Sequence, residues 1–90
     1  MFTWDERKRL SNLRKHRIDF RDAEKIFDGY TLTAEDTSES YGEQRFFTLG
    51  LLHGVAVSVA HTERLGTVRI LSIRKATKDE ARYYFKTFAD

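Results

Sequence analysis

The apolar positions of this chain change period twice. Between Glu43 and Lys75 they alternate or cluster in short runs, and on either side they recur at spacings of three and four. The run Glu43-Gln44-Arg45-Phe46-Phe47-Thr48-Leu49 is rich in aromatic and β-favouring residues and stops at Gly50. The run from Val55 to His61 puts Val55, Val57 and Val59 on one face and Ala56, Ser58 and Ala60 on the other, so the valine face is the expected core. The run from Val68 to Lys75 is apolar on both faces in its middle, as a central strand would be, yet carries Arg69 and Arg74 near its ends. The three runs predict an antiparallel meander.

Helical signals flank it. Thr3-Trp4-Asp5-Glu6 fits a capping box, in which the threonine hydroxyl and the glutamate carboxylate each satisfy an orphaned backbone N–H, so a helix is expected over residues 5–16 with Trp4 as its hydrophobic staple. Its apolar positions are few, mainly Leu10 and Leu13, whereas Lys8, Asn12 and Lys15 recur at i, i+4 and i+7 with His16 beside them. That polar stripe is either a solvated face or a row of phosphate contacts. Asp19 then reads as the N-cap of a second helix whose core stripe is Phe20, Ala23, Ile26 and Phe27, closed by Gly29 in a left-handed conformation. Tyr30 to Thr33 can add a short strand, and the acidic, turn-rich stretch from Glu35 to Gly42 should be mobile. A second capping box, Thr77 to Glu80, opens a C-terminal helix with Ala81, Tyr84, Phe85 and Phe88 on its apolar face. The fold class is therefore α+β: a small antiparallel sheet of three to four strands, two N-terminal helices and one C-terminal helix, with helices gathered on one sheet face and the other face open.

Ninety residues suffice for one modest core, so residues 1–90 are read as a single domain. No stretch approaches the roughly 20 apolar residues of a membrane helix. There is no apolar signal region and no cysteine, which points to a cytoplasmic protein without disulfides. The net charge is only +2, but eight of the sixteen basic residues lie between Arg7 and Lys25 and six between Arg69 and Lys86. The span from Ile26 to Gln44 has none and holds five acids, so the molecule should have a basic side that attracts phosphate backbones.

Several chemistries lack their residues. His16, His53 and His61 lie in different elements without metal-ligand spacing, and neither a metal nor any other cofactor is expected. Ser58 and Ser72 sit mid-strand with no nucleophile elbow, and no glycine-rich phosphate loop is present. What remains is a surface of Arg, Lys, His, Glu and Tyr. That set suits RNA cleavage in which the 2′-hydroxyl is the nucleophile and the protein supplies charge and proton transfer. It suits RNA binding without catalysis equally well.

The ordered set Trp4-Asp5, Lys8, Asn12, Lys15-His16, Phe20, Ala23, Phe27-Asp28, Gly42-Glu43, Arg45, Arg69-Ile70, Ser72, Arg74, Ala76 and Glu80 resembles the BrnT family of toxins over nearly the whole chain. It departs from the family at Arg17, where glycine usually turns the chain, and at Ile73. The resemblance implies a RelE-like ribonuclease fold, an endoribonuclease that arrests translation and growth, and an antitoxin, BrnA, that binds the toxin and represses their operon. DNA is then met only through the antitoxin complex.

Carried over by position, the resemblance makes Lys8, Glu43, Arg45, Arg69 and Arg74 the matched polar residues. Arg69 and Arg74 would neutralise the scissile phosphate, Lys8 would stabilise developing charge, and Glu43 or His16 would move the proton. Arg45, Asn12, Lys15 and Tyr83 are candidates for RNA contact. Each has a plainer reading. Glu43 and Arg45 share strand parity and can form a surface ion pair worth under about 1 kcal/mol. Arg69 and Arg74 have opposite parity, so one of them is structural unless a bulge intervenes, and Arg69 could instead tie down the acidic loop. His16 could be a helix C-cap. His61, in phase with the valines, is expected at the rim of the core. Tyr84 belongs to the apolar stripe, which leaves Tyr83 as the freer phenol.

Overall fold

The computed structural model describes residues 1–38, 40 and 42–89. Glu39 and Tyr41 of the acidic loop, whose mobility was expected, and Asp90 lie outside the described residues. The elements are β1 (Phe2–Trp4), α1 (Glu6–His16), a 3₁₀ turn (Phe20–Asp22) running into α2 (Ala23–Asp28), β2 (Leu32–Asp36), β3 (Arg45–Leu52), β4 (Val55–Arg64), β5 (Thr67–Lys75) and α3 (Lys78–Phe88). The strands form one sheet in the order β1-β5-β4-β3-β2. It is mixed rather than antiparallel, because β1 pairs with β5 in parallel, and it has five strands rather than three or four.

The unexpected strand corrects the reading of the N-terminus. Thr3 and Trp4 belong to β1, and the cap of α1 is Asp5, whose carboxylate accepts from the Arg7 and Lys8 amides at 2.9 and 3.2 Å. Trp4 packs edge-on against Phe20, with ring centroids 6.4 Å apart. Arg17 ends α1 with φ 61°, the left-handed conformation that glycine would adopt without strain, and its amide donates to the Leu13 carbonyl. Gly29, by contrast, closes α2 in an extended conformation with φ −91° and ψ −164°.

Two hairpins join the meander through two-residue turns, His53-Gly54 with φ 51° and 80° and Leu65-Gly66 with φ 51° and 79°. Positive φ at both central positions matches the right-handed twist of the flanking strands. Gly50 does not end β3 but lies inside it. A Cβ there would stand 2.8 Å from Ile26 Cγ2, so α2 can approach the sheet closely only because this residue lacks a side chain.

The core consists of Ile18, Phe20, Ala23, Ile26, Leu52, Val57, Val59, Ile70 and Ile73, with Phe2, Trp4, Phe27 and Val68 packed against it. It lies between the sheet and the N-terminal helical layer. Val57 and Val59 face it as expected, while Val55 is 47% exposed at the strand's start. Ala56 and Ser58 are buried on the other face, where α3 touches β3 and β4. The open face is therefore open only in part. At the sheet edge, Arg9 is 6% exposed, donating to Glu6 at 2.6 and 2.8 Å and to Asp19 at 3.0 Å, which locks α1 to the turn that follows it. The Arg9 guanidinium also holds the Glu6 carboxyl down at about 2.

Candidate functional site

The register of β4 with β5 slips at one step. Val59 faces Ile73 and Ala60 faces Ser72, but His61 faces Ile70, so Leu71 is an extra residue without a partner on β4. This bulge restores to a common face two residues that regular alternation would separate. Ile70 and Ile73, three apart, both point into the core at 0% exposure. Arg69 and Arg74, five apart, both lie on the opposite face, level with Thr62 and Ser58 of β4. Arg69 is thus not a structural residue on the far side of the sheet, as unbroken parity would have made it.

The same registers lay that face out in rows. One row contains Asp36 and Arg45 on β2 and β3, then Thr62, Arg69 and Thr3 on β4, β5 and β1. The next runs Ala34, Phe47, Ala60, Ser72, and the third Leu32, Leu49, Ser58, Arg74. With strands spaced about 4.8 Å apart, Arg45 and Arg69 stand roughly 10 Å apart at the Cα atoms, astride Thr62. Three arginines therefore share one side of a surface whose other members are hydroxyls, alanines, Phe47, the leucines Leu32 and Leu49, and Asp36 at its edge. Glu43 lies 3.6 Å from Arg45 at the rim of this face.

Arg74 also borders a second feature. A cleft of about 470 Å³ is lined by Lys15, His16 and Arg17 from the end of α1 and by Arg74, Lys75 and Thr77 from the β5–α3 junction. The Arg74 guanidinium forms a two-pronged bond to Glu80, at 2.8 and 3.1 Å, and Glu80 Oε1 in turn accepts from the Thr77 amide at 2.8 Å. Glu80 thus completes the expected capping box of α3 and orients Arg74 with the same carboxylate. The pairing raises the pKa of Arg74 and lowers that of Glu80. A wider groove of about 720 Å³, lined by Leu10, Leu13, Arg14 and Arg17, lies along α1; it offers two cations and no group suited to moving a proton.

The other candidates fall as follows. Lys15 and His16 line the cleft with Arg74. Lys8 is exposed in the first turn of α1, roughly 12 Å along the helix axis from His16, and does not line it. Tyr83 is 61% exposed on α3. Asn12 departs from the expectation: it is 5% exposed, donates to the carbonyls of Ile18 and Ile73 at 3.0 and 2.8 Å, and accepts from the Ile73 amide at 3.1 Å. Both its amide hydrogens are used inside the protein, so it fastens α1 to β5 rather than facing a ligand. His61 is not at the core's rim but within it, at 0% exposure. Its Nε2 meets Thr48 Oγ1 at 2.7 Å, that hydroxyl meets Thr33 Oγ1 at 2.7 Å, and the ring lies between Phe27 and Phe46.

Sequence reasoning passed over Glu80, Thr77, Lys75 and Phe47 as site residues. For Glu80 and Thr77 the capping-box spacing was visible, but nothing in it pointed to Arg74. Among the described residues, no three histidine, aspartate or glutamate side chains gather as a metal site would need, and no helix is long and apolar enough to cross a membrane.

A partly covered sheet that presents Arg45, Arg69 and Arg74 beside a cationic cleft defines an α+β domain with a basic face. The family description "ribonuclease toxin, BrnT, of type II toxin-antitoxin system" matches residues 4–80. The chain belongs to this family of ribonuclease toxins, whose substrate is RNA and whose partner is an antitoxin. No curated protein matches the chain.

Proposed function

We propose that this toxin is a metal-independent endoribonuclease that works by transesterification at the substrate's own 2′-hydroxyl. The observation that carries the reading is the β5 bulge, which sets Arg69 and Arg74 on one face of the sheet. Two guanidiniums that cannot lose their charge are suited to neutralise a phosphate as it gains negative charge in the transition state. His16, lining the same cleft as Arg74, is the proton acceptor in this reading. The 2′-oxygen attacks phosphorus, its proton passes to His16, and the P–O5′ bond breaks with a proton supplied by Lys15 or water. The products are a 2′,3′-cyclic phosphate and a 5′-hydroxyl. Glu43 is placed at the rim with Arg45, so it is assigned to RNA positioning, and Lys8 to tracking the backbone further along α1.

A BrnA-like antitoxin would silence this activity by covering the basic face, and DNA would be reached only through that complex. RNA turnover of this kind places the toxin's action in the cytoplasm, where it arrests translation. The test is to incubate the purified toxin with RNA in EDTA and to identify the ends formed. Cleavage with cyclic-phosphate ends is expected. Activity that returns only on adding a divalent ion, or RNA that is bound but never cut, would overturn the reading.

A further inference from the structure

On the open face, one large apolar side chain stands between small ones on the two adjacent strands. Phe47 is 37% exposed, and its neighbours across both adjacent strands are alanines, Ala34 on β2 and Ala60 on β4. Along β3 the same face carries Arg45 two residues before it and Leu49 two after. Flanked across the sheet by methyl groups, the ring keeps over a third of the residue's surface accessible to whatever lies on the sheet. One exposed aromatic is ordinary on a protein surface; what distinguishes this one is the set of cations around it.

The charge of the surroundings decides the occupant. The row beside Phe47 contains Arg45 and Arg69, and Arg74 closes the row on its other side, with Asp36 at the outer edge of the sheet and Glu43 and Glu80 already facing arginines. Phosphates on either side of an unpaired base would meet these guanidiniums while the base lies against the ring. Sheet-borne aromatics among cations are a general means of holding single-stranded RNA, since every base has a π face and stacking tolerates sequence.

We infer that Phe47 is a base-stacking subsite for unpaired RNA, next to the arginines that hold the phosphates. This rests on the ribonuclease reading and adds to it the substrate's form: single-stranded, with one base lifted onto β3. The cut then falls at a fixed offset from the stacked base, and a duplex, whose bases are already stacked, is a poor substrate.

The probe is a set of single-stranded oligonucleotides with 2′-O-methyl sugars, which lack the nucleophile, each carrying one 2-aminopurine at a different position. Stacking should quench the fluorophore at one or two adjacent positions with the wild type and with Phe47→Trp. Phe47→Ala should remove the quenching and weaken binding about 10-fold, the size expected for one stacked base. Replacing the quenched nucleotide by an abasic one should bring the wild type and Phe47→Ala to equal affinity, which a merely structural role would not produce. Should Phe47→Ala fail to fold, Phe47→Leu keeps apolar bulk on the strand while removing the π face. Equal losses on intact and abasic oligonucleotides would overturn the subsite and leave the ribonuclease reading intact. Loss of antitoxin binding with RNA affinity unchanged would overturn it too, by assigning the ring to a protein interface. A wild type that binds none of the oligonucleotides would overturn both readings.

Discussion

Asn12 and Ile73, 61 positions apart in the chain, exchange two hydrogen bonds, so that a side-chain amide on α1 takes the place of a neighbouring strand for β5. β1 pairs with β5 only as far as Ile70, and without Asn12 the next outward-facing backbone groups of β5 would be buried and unmatched. Asn12→Ala should therefore destabilise the fold by on the order of 3 kcal/mol, since it strands the Ile73 amide and carbonyl and the Ile18 carbonyl. Urea unfolding with an unchanged m-value is the measurement, and a loss within 0.5 kcal/mol, the usual range for a solvated position, would refute this role.

Arg74 and Glu80 should separate chemistry from folding. Arg74→Ala is expected to lower the cleavage rate by on the order of 100-fold. Its effect on stability should be about 1 kcal/mol, because the ion pair is partly solvated. Glu80→Gln keeps an oxygen for the Thr77 amide but releases Arg74 from its two-pronged hold, so it should lower the rate at a stability cost no greater than that of Arg74→Ala. A Glu80→Gln protein that melts early with full activity per folded molecule would make Glu80 a helix cap and nothing more.

His61 should make stability depend on pH. Burial lowers its pKa from the ordinary 6.5, with Glu63 at 4.0 Å opposing only in part. Between the folded-state pKa and 6.5 the unfolded chain holds a proton that the folded chain does not, so stability rises with pH through that window and falls as pH drops below about 6.5. Urea midpoints measured from pH 5 to 8 should show this slope, and His61→Gln, which retains an amide for Thr48, should flatten it. An unchanged slope in the variant would place the effect elsewhere.

Association with the antitoxin should depend on salt in one direction only. If the partner's acidic groups are drawn to the basic face, raising ionic strength slows the on-rate strongly, while apolar contacts leave the off-rate nearly constant. Stopped-flow mixing at two salt concentrations measures both, and an on-rate indifferent to salt would mean that the partner docks elsewhere.

Much of the fold was legible because hydrophobic period and capping spacing are local properties. The meander, the amphipathic α3 and the Thr77–Glu80 box appear where the pattern put them. β1 was missed because three residues carry no period of their own and become a strand only by pairing with β5, a contact distant in sequence. Gly50 read as a stop because its real cause, the approach of Ile26, also lies far off in the sequence. Asn12 read as surface because a helical stripe of Lys, Asn and Lys looks solvated until a strand edge is laid beside it. At the site, parity alone placed Arg74 on the open face and Arg69 on the other, and it named a bulge as the exception without locating it. The slip at Leu71 carries no residue signature, since no glycine or proline stands between Arg69 and Arg74.

That slip also leaves β5 one residue longer than a regular strand with the same two faces would be. Removing Leu71 would leave Arg69 and Arg74 four positions apart, in phase within a regular strand, with Ile70 and Ile73 still facing the core. Leu71 itself faces no residue of β4, so its side chain is the one in this stretch that the sheet leaves least constrained. The strand thus carries one residue more than its alternation needs, and a single-codon deletion at Leu71 should straighten it without parting the two guanidiniums.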